Sequence, residues 1–160
     1  MAVLAACGGV APADWAAQVC GALGPWRTQI GDLNARAQQQ MATAKTPAET
    51  RTNLLALLDG AATATDAARN AVVNTGPPDV DGGDAIAARF VDSITRARDA
   101  YATARASLEQ LPMTDEKAFY DGVVAILGRL QAEYAASEVD TSTLDSVEVR
   151  AALDGATQCQ

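Results

Sequence analysis

Residues 83–111 read GDAIAARFVDSITRARDAYATARASLEQL. Within them Ile86, Phe90, Ile94, Ala97, Tyr101, Ala104, Leu108 and Leu111 recur in steps of three and four, which places them on one face of a helix. The other face carries Arg89, Asp92, Arg96 and Asp99 at spacings that suit exposed ion pairs, and Arg105 with Glu109 repeats the arrangement. A long helix that is apolar on one face needs partners of the same kind to bury it.

The flanking sequence supplies such partners. Downstream, Pro112 closes the helix and Thr114-Asp115-Glu116 opens the next, with acids in the first turn where the helix dipole favours them. Phe119, Val123, Ile126, Leu127, Leu130 and Tyr134 form its inner face. A turn over 137–142 leads to a short helix over about 143–154 bearing Leu144, Val147 and Leu153. Upstream, Thr46-Pro47-Ala48-Glu49 places Thr at the N-cap, Pro at the first helical position and Glu at the third. Leu54, Leu55, Leu57, Leu58, Ala61, Thr65, Ala68 and Val72 follow, and Gly76-Pro77-Pro78 ends that helix. The first helix, about 14–43, carries Trp15, Val19, Ala22, Trp26, Leu33, Ala37 and Met41 on one stripe, flanked by Ile30. Pro25 removes one hydrogen bond and crowds the carbonyl of Gly21, but the stripe keeps its phase, so a kink is expected and not a break.

Short connectors between long amphipathic helices make neighbours antiparallel. The expected fold is all-α: an up-down-up-down four-helix bundle with a short C-terminal fifth helix, one domain over 13–160. Residues 1–12 are expected to be a signal remnant and flexible tether.

Composition agrees with this and narrows the partners. Alanine, the best helix former, dominates the apolar residues of the 160, and aromatics are few. The net charge of −8 argues against a nucleic-acid partner and against docking on anionic headgroups. No run reaches the ~18 apolar residues of a membrane span.

The first residues carry the most specific motif. Leu4-Ala5-Ala6-Cys7 has the pattern of a bacterial lipoprotein cleavage site, in which the cysteine thiol accepts a diacylglycerol before the peptide ahead of it is removed. Only Met1 to Ala6 precede Cys7, with no Lys or Arg. An export signal has a basic start and an apolar run of ~7–15 residues, so this reading expects a start further upstream. The alternative is a cytoplasmic chain with an apolar start. Three cysteines are present. With Cys7 lipidated, Cys20 and Cys159 remain as an even pair, and a bridge between the two ends of the domain suits an oxidising compartment. Two unrelated thiols are the alternative. A loop that long is worth close to 5 kcal/mol by chain entropy, whereas measured bridges more often give about 2–4 kcal/mol.

Chemistry is sparse. The chain has no histidine, which removes the commonest general base and transition-metal ligand. No Cys-x-x-Cys and no phosphate-binding glycine loop occurs. Asp79-Val80-Asp81-Gly82-Gly83-Asp84 superficially resembles a calcium loop, yet the sixth position is Asp84 and the twelfth is Phe90, where glycine and a bidentate Glu belong. A helix cap through Asp81 or Asp84 is the simpler expectation. Cofactors are therefore expected to be none, and catalytic and metal residues likewise. Arg27, Arg36 and Lys45 form the candidate ligand cluster, with Gln38 to Gln40 beside them; a solvated last helical turn is the alternative. Trp15 and Trp26, three turns apart on one face, are expected in the core or at the kink.

Leu4-Ala5-Ala6-Cys7-Gly8-Gly9, the Cys20-Gly21-Ala22-Leu23 opening of a long helix, the Ala/Arg/Asp bias and the closing Cys159 together resemble small helical lipoproteins and secreted proteins of high-GC actinobacteria. The resemblance implies export, an anchor on the outer face of the cell membrane through Cys7, and an all-α fold. It implies no catalytic residues. Two functions are compatible with these readings. One is a non-enzymatic envelope protein that binds a protein or small-molecule partner, with a cleft at Pro25 as one possible site. The other is a small helical enzyme using Arg, Lys, Glu and Gln on a carboxylate-rich substrate.

Overall fold

The apolar stripes fold into four long helices and a short one. The computed structural model describes residues 9–159, so Cys7 and its lipobox lie outside the described residues. The elements are α1 (Pro12–Thr43), α2 (Pro47–Thr75), α3 (Gly83–Gln110), α4 (Glu116–Ser137) and α5 (Val147–Gly155). Single 3-10 turns lie at Thr141–Thr143 and Thr157–Cys159. α1 runs unbroken through Pro25.

Local chemistry sets the helix ends. The Thr46 hydroxyl accepts the Glu49 amide at 3.2 Å, and the Glu49 carboxylate accepts the Lys45 amide at 2.7 Å. The capping box is thus formed, with Glu49 reaching one residue further back than the standard motif. Asp115 caps α4 by accepting from the Ala118 amide at 2.7 Å. α3 departs from expectation. Its N-cap is Gly82, in the left-handed region at φ 73°, and neither Asp81 nor Asp84 caps it. The backbone makes this turn, with Gly83 N–H donating to the Val80 carbonyl at 3.0 Å. α5 begins four residues later than expected. Asp140 accepts from the Ser142 amide and starts a 3-10 turn instead, and Ser146 then caps α5.

α1 starts earlier than expected, and Gly9 to Pro12 are not tether. Val10 donates to the Pro77 carbonyl at 3.1 Å, and its own carbonyl accepts the Asp79 amide at 2.7 Å. Gly9 to Pro12 therefore belong with the folded domain and not with the expected tether.

α1 packs along α2, α2 along α3, and α3 along α4. The interior divides into two clusters. One holds Leu54, Leu58 and Ala61 of α2, Tyr101 and Leu108 of α3, and Phe119 and Val123 of α4. The other holds Trp15 and Val19 of α1, Phe90 and Ile94 of α3, and Leu144, Val149 and Leu153 of the C-terminal segment. The division follows from length. α4 has 22 residues against 28 in α3, or about 33 Å against 42 Å at 1.5 Å per residue. α4 covers one half of the bundle, and α5 with its flanking turns covers the other. The Cys20–Cys159 disulfide holds that segment on α1, with Cα atoms 4.9 Å apart.

The exposed ion pairs fall out differently from the spacing rule. Arg105 pairs with Glu109 at 2.8 Å as expected, and also with Asp59 of α2. Asp99 pairs with Arg98 at 2.7 Å and not with Arg96. Arg89 bonds the Thr143 hydroxyl at 2.7 Å instead of Asp92. In each case a partner on another element or next in sequence competes with the one a helical turn away. Exposed pairs of this kind are worth about 0–1 kcal/mol, too little to select one arrangement from spacing alone.

Two predictions follow from glycine positions and from the crosslink. A Cβ on Gly83 would overlap the Pro78 carbonyl oxygen, whereas one on Gly21 meets nothing within 4 Å. Gly83→Ala should therefore destabilise by about 1–3 kcal/mol and Gly21→Ala should stabilise by about 0.5–1 kcal/mol, both read by urea unfolding. Reduction, or Cys159→Ser, should lower stability by about 2–4 kcal/mol; an unchanged urea midpoint would show that the bridge does not constrain the unfolded chain.

Candidate functional site

Trp26 joins all four long helices. Its indole N–H donates to Thr65 Oγ1 of α2 at 3.0 Å, and that buried hydroxyl donates in turn to the Ala61 carbonyl at 2.6 Å. The Trp26 ring lies 6.4 Å from that of Tyr134 on α4, and Tyr134 lies 5.9 Å from Tyr101 on α3. These rings bridge the α1–α4 edge, where the two backbones make little direct approach. Trp15, by contrast, is fully buried, bonds the Gly76 carbonyl at 2.9 Å and packs edge-on against Phe90. Both tryptophans thus serve packing, as expected, but Trp26 also forms the wall of an opening.

That opening is a cleft of about 500 Å³ at the junction of α1, α3, the end of α4 and the C-terminal segment. Its size falls within the range of small-molecule sites. Val19, Leu23, Trp26, Phe90, Ile94 and Ala97 are among its apolar lining, of which Leu23 and Trp26 are partly exposed and the other four are buried. Polar groups gather at its rim: Arg27 from α1, Tyr134 and Glu138 from the end of α4, Asp154 from α5, and Cys159 beyond it. The last turn of α4 is fixed there because Ser93 donates to the Ser137 carbonyl and the buried Ser137 hydroxyl donates to the Tyr134 carbonyl at 2.6 Å.

Among the described residues the rim charges form no salt bridge. Arg27 donates to the Cys159 carbonyl over a long 3.4 Å. Among the described residues neither Arg27 nor Glu138 forms a salt bridge, and the Tyr134 hydroxyl has no hydrogen-bond partner. Burial raises the Tyr134 hydroxyl above its ordinary pKa; the nearby Glu138 carboxylate adds to this and Arg27 opposes it. Burial, reinforced by Tyr134, pushes Tyr101 up to about 12. Neutral phenols line this part of the bundle, able to donate hydrogen bonds at neutral pH.

Of the expected ligand cluster, the structure places only Arg27 at the cleft. Arg36 follows nine positions later on the exposed side of α1, a rise of about 13 Å, and Lys45 lies beyond the helix end. The three do not converge. Gln38, Gln39 and Gln40 are exposed, as a solvated last turn would be. A shallow depression there, at the α1–α2 turn, has Glu49 as its charged residue and no cation. By sequence Tyr134 has a packing role alone, and neither Glu138 nor Asp154 is singled out. Tyr134 continues an apolar stripe and reads as core, and the two acids sit at helix ends, where acids are commonly solvated. Among known proteins, no family model, no curated protein and no solved structure matches this chain.

The tyrosine environment has a measurable consequence. A phenol that ionises near 10 in the unfolded chain and near 12 in the fold keeps its proton in the folded state while the unfolded state has lost it. Stability is then full below pH 10 and falls as pH rises through 12. Thermal melts between pH 9 and 11.5 should show this loss, and Tyr101→Phe should flatten it. An identical slope in the variant would assign the loss to other groups.

Proposed function

We propose that this protein is a non-enzymatic component of the cell envelope, exported and held on the outer face of the membrane by lipid on Cys7, that takes a small ligand into the cleft between α1, α4 and the C-terminal segment. The observation that carries the binding reading is the cleft itself: an opening of adequate size lined by both apolar and polar residues, with exposed charges of both signs, Arg27, Glu138 and Asp154, at its rim. Sites for small molecules have this composition. The helical-enzyme reading asks for a pocket where Arg27 or Arg36 converges with Lys45 and a Glu, and neither the cleft nor the depression at the α1–α2 turn brings these together, which favours binding instead. The anchor is supported by the lipobox, and export by the crosslink between Cys20 and Cys159, which suits an oxidising compartment.

Each half of the proposal has its own test. Titration with N-phenyl-1-naphthylamine, a neutral apolar fluorophore, should give saturable one-site binding. Leu23→Trp, which fills the cleft from a half-buried position, should abolish it while leaving the thermal midpoint near that of the parent. Binding unaffected by that substitution would place the fluorophore elsewhere and remove the cleft from the proposal. Expression from an upstream start in a lipoprotein-competent host should yield a mature protein with acyl mass on Cys7, and a product that retains Met1 would overturn the anchor.

A further inference from the structure

We infer that the cleft selects a zwitterionic ligand with an apolar body, of the chemical class of a large apolar amino acid or a short apolar peptide. This rests on the binding reading above and adds the charge and shape of what is bound.

The rim carries charges of both signs, held apart. Arg27 extends from α1, and Glu138 sits at the C-cap of α4. They approach Tyr134 from different elements, and no salt bridge joins them. A surface that leaves opposite charges facing one opening without pairing them is complementary to a molecule with one charge of each sign. Neutralising both ends at once also avoids burying a lone ion, the costliest event in such a site.

Each end of the ligand has a partner. A carboxylate meets Arg27, whose one hydrogen bond among the described residues is the long one to the Cys159 carbonyl and is readily exchanged for a charge-assisted pair. An ammonium meets Glu138, with Asp154 as a second carboxylate on the same rim. The Tyr134 ring, close to Glu138 and to the Trp26 ring, adds cation–π attraction. The net charge of −8 favours approach of the cationic end, and Arg27 then distinguishes a zwitterion from a plain amine. The body of the ligand is left facing Leu23 and Trp26, which keep part of their apolar surface open in the lining.

Three matched probes test this by calorimetry on the oxidised protein: L-tryptophan, tryptamine, which lacks the carboxylate, and indole-3-propionate, which lacks the ammonium. L-Tryptophan should bind about tenfold more tightly than either, the worth of one hydrogen bond to a charged group. Arg27→Gln should bring it to the level of tryptamine, and Glu138→Gln to that of indole-3-propionate. Both side chains are exposed, so both variants should fold, and circular-dichroism melts check this. L-Tryptophyl-L-leucine, with its charges further apart, should bind more tightly than the free amino acid if the natural ligand is a peptide and less tightly if it is an amino acid. Equal affinity for all three indoles, each lost in Leu23→Trp, would overturn the zwitterion inference and leave the cleft standing. Binding by none of them, or binding that survives in Leu23→Trp, would overturn the inference; if the neutral fluorophore also fails to enter, the binding reading goes with it.

Discussion

Helix α4 ends nearly two turns short of the length of α3, and an antiparallel bundle with one short member leaves part of its apolar flank uncovered. In this chain the flank is Trp15, Val19, Phe90 and Ile94, which would otherwise meet water. The C-terminal segment covers it with Leu144, Val149 and Leu153. A nine-residue helix has little stability of its own, so its position depends on packing and on the covalent bond at its end. The cleft is the seam between these two unequal covers, where neither α4 nor α5 fills the corner completely.

Most of the fold was legible because it rests on periodicity. The α3 stripe from Ile86 to Leu108 is buried at the expected positions, and the Thr46 and Asp115 caps form where hydroxyl and carboxylate precede apolar runs. The pairing of Cys20 with Cys159 followed from counting thiols once Cys7 was set aside. Two departures arose where the backbone and not a side chain did the work. Gly82 turns into α3 through its own left-handed conformation, so the acids around it have no capping role. Val10 is held by main-chain bonds to Pro77 and Asp79, which no side-chain pattern announces.

The site was far less legible. Arg27 stood out for its charge, but Arg36 and Lys45 stood out equally, and only the path of α1 separates them. Tyr134 looked like one more apolar residue in the α4 stripe. Its position at the last turn, where the helix stops covering α3, is what exposes its hydroxyl to an opening. A cleft made by two elements failing to meet leaves no signature in either one; it depends on their relative lengths and on the route of the segment between them.

The Cys20–Cys159 bond also decides how the molecule would bear tension. Residue 20 lies in the opening turns of α1 and residue 159 at the far end of the chain, separated by 139 positions. A force applied between the two ends of the described chain passes along the first turns of α1 and through the sulfur atoms. The long loop between them, with α2, α3, α4 and the cleft, lies off the load path. Drawn taut from either end, the first turns of α1 would yield first, while the loop that carries α2, α3 and α4 would be shielded until the covalent clasp itself gave way.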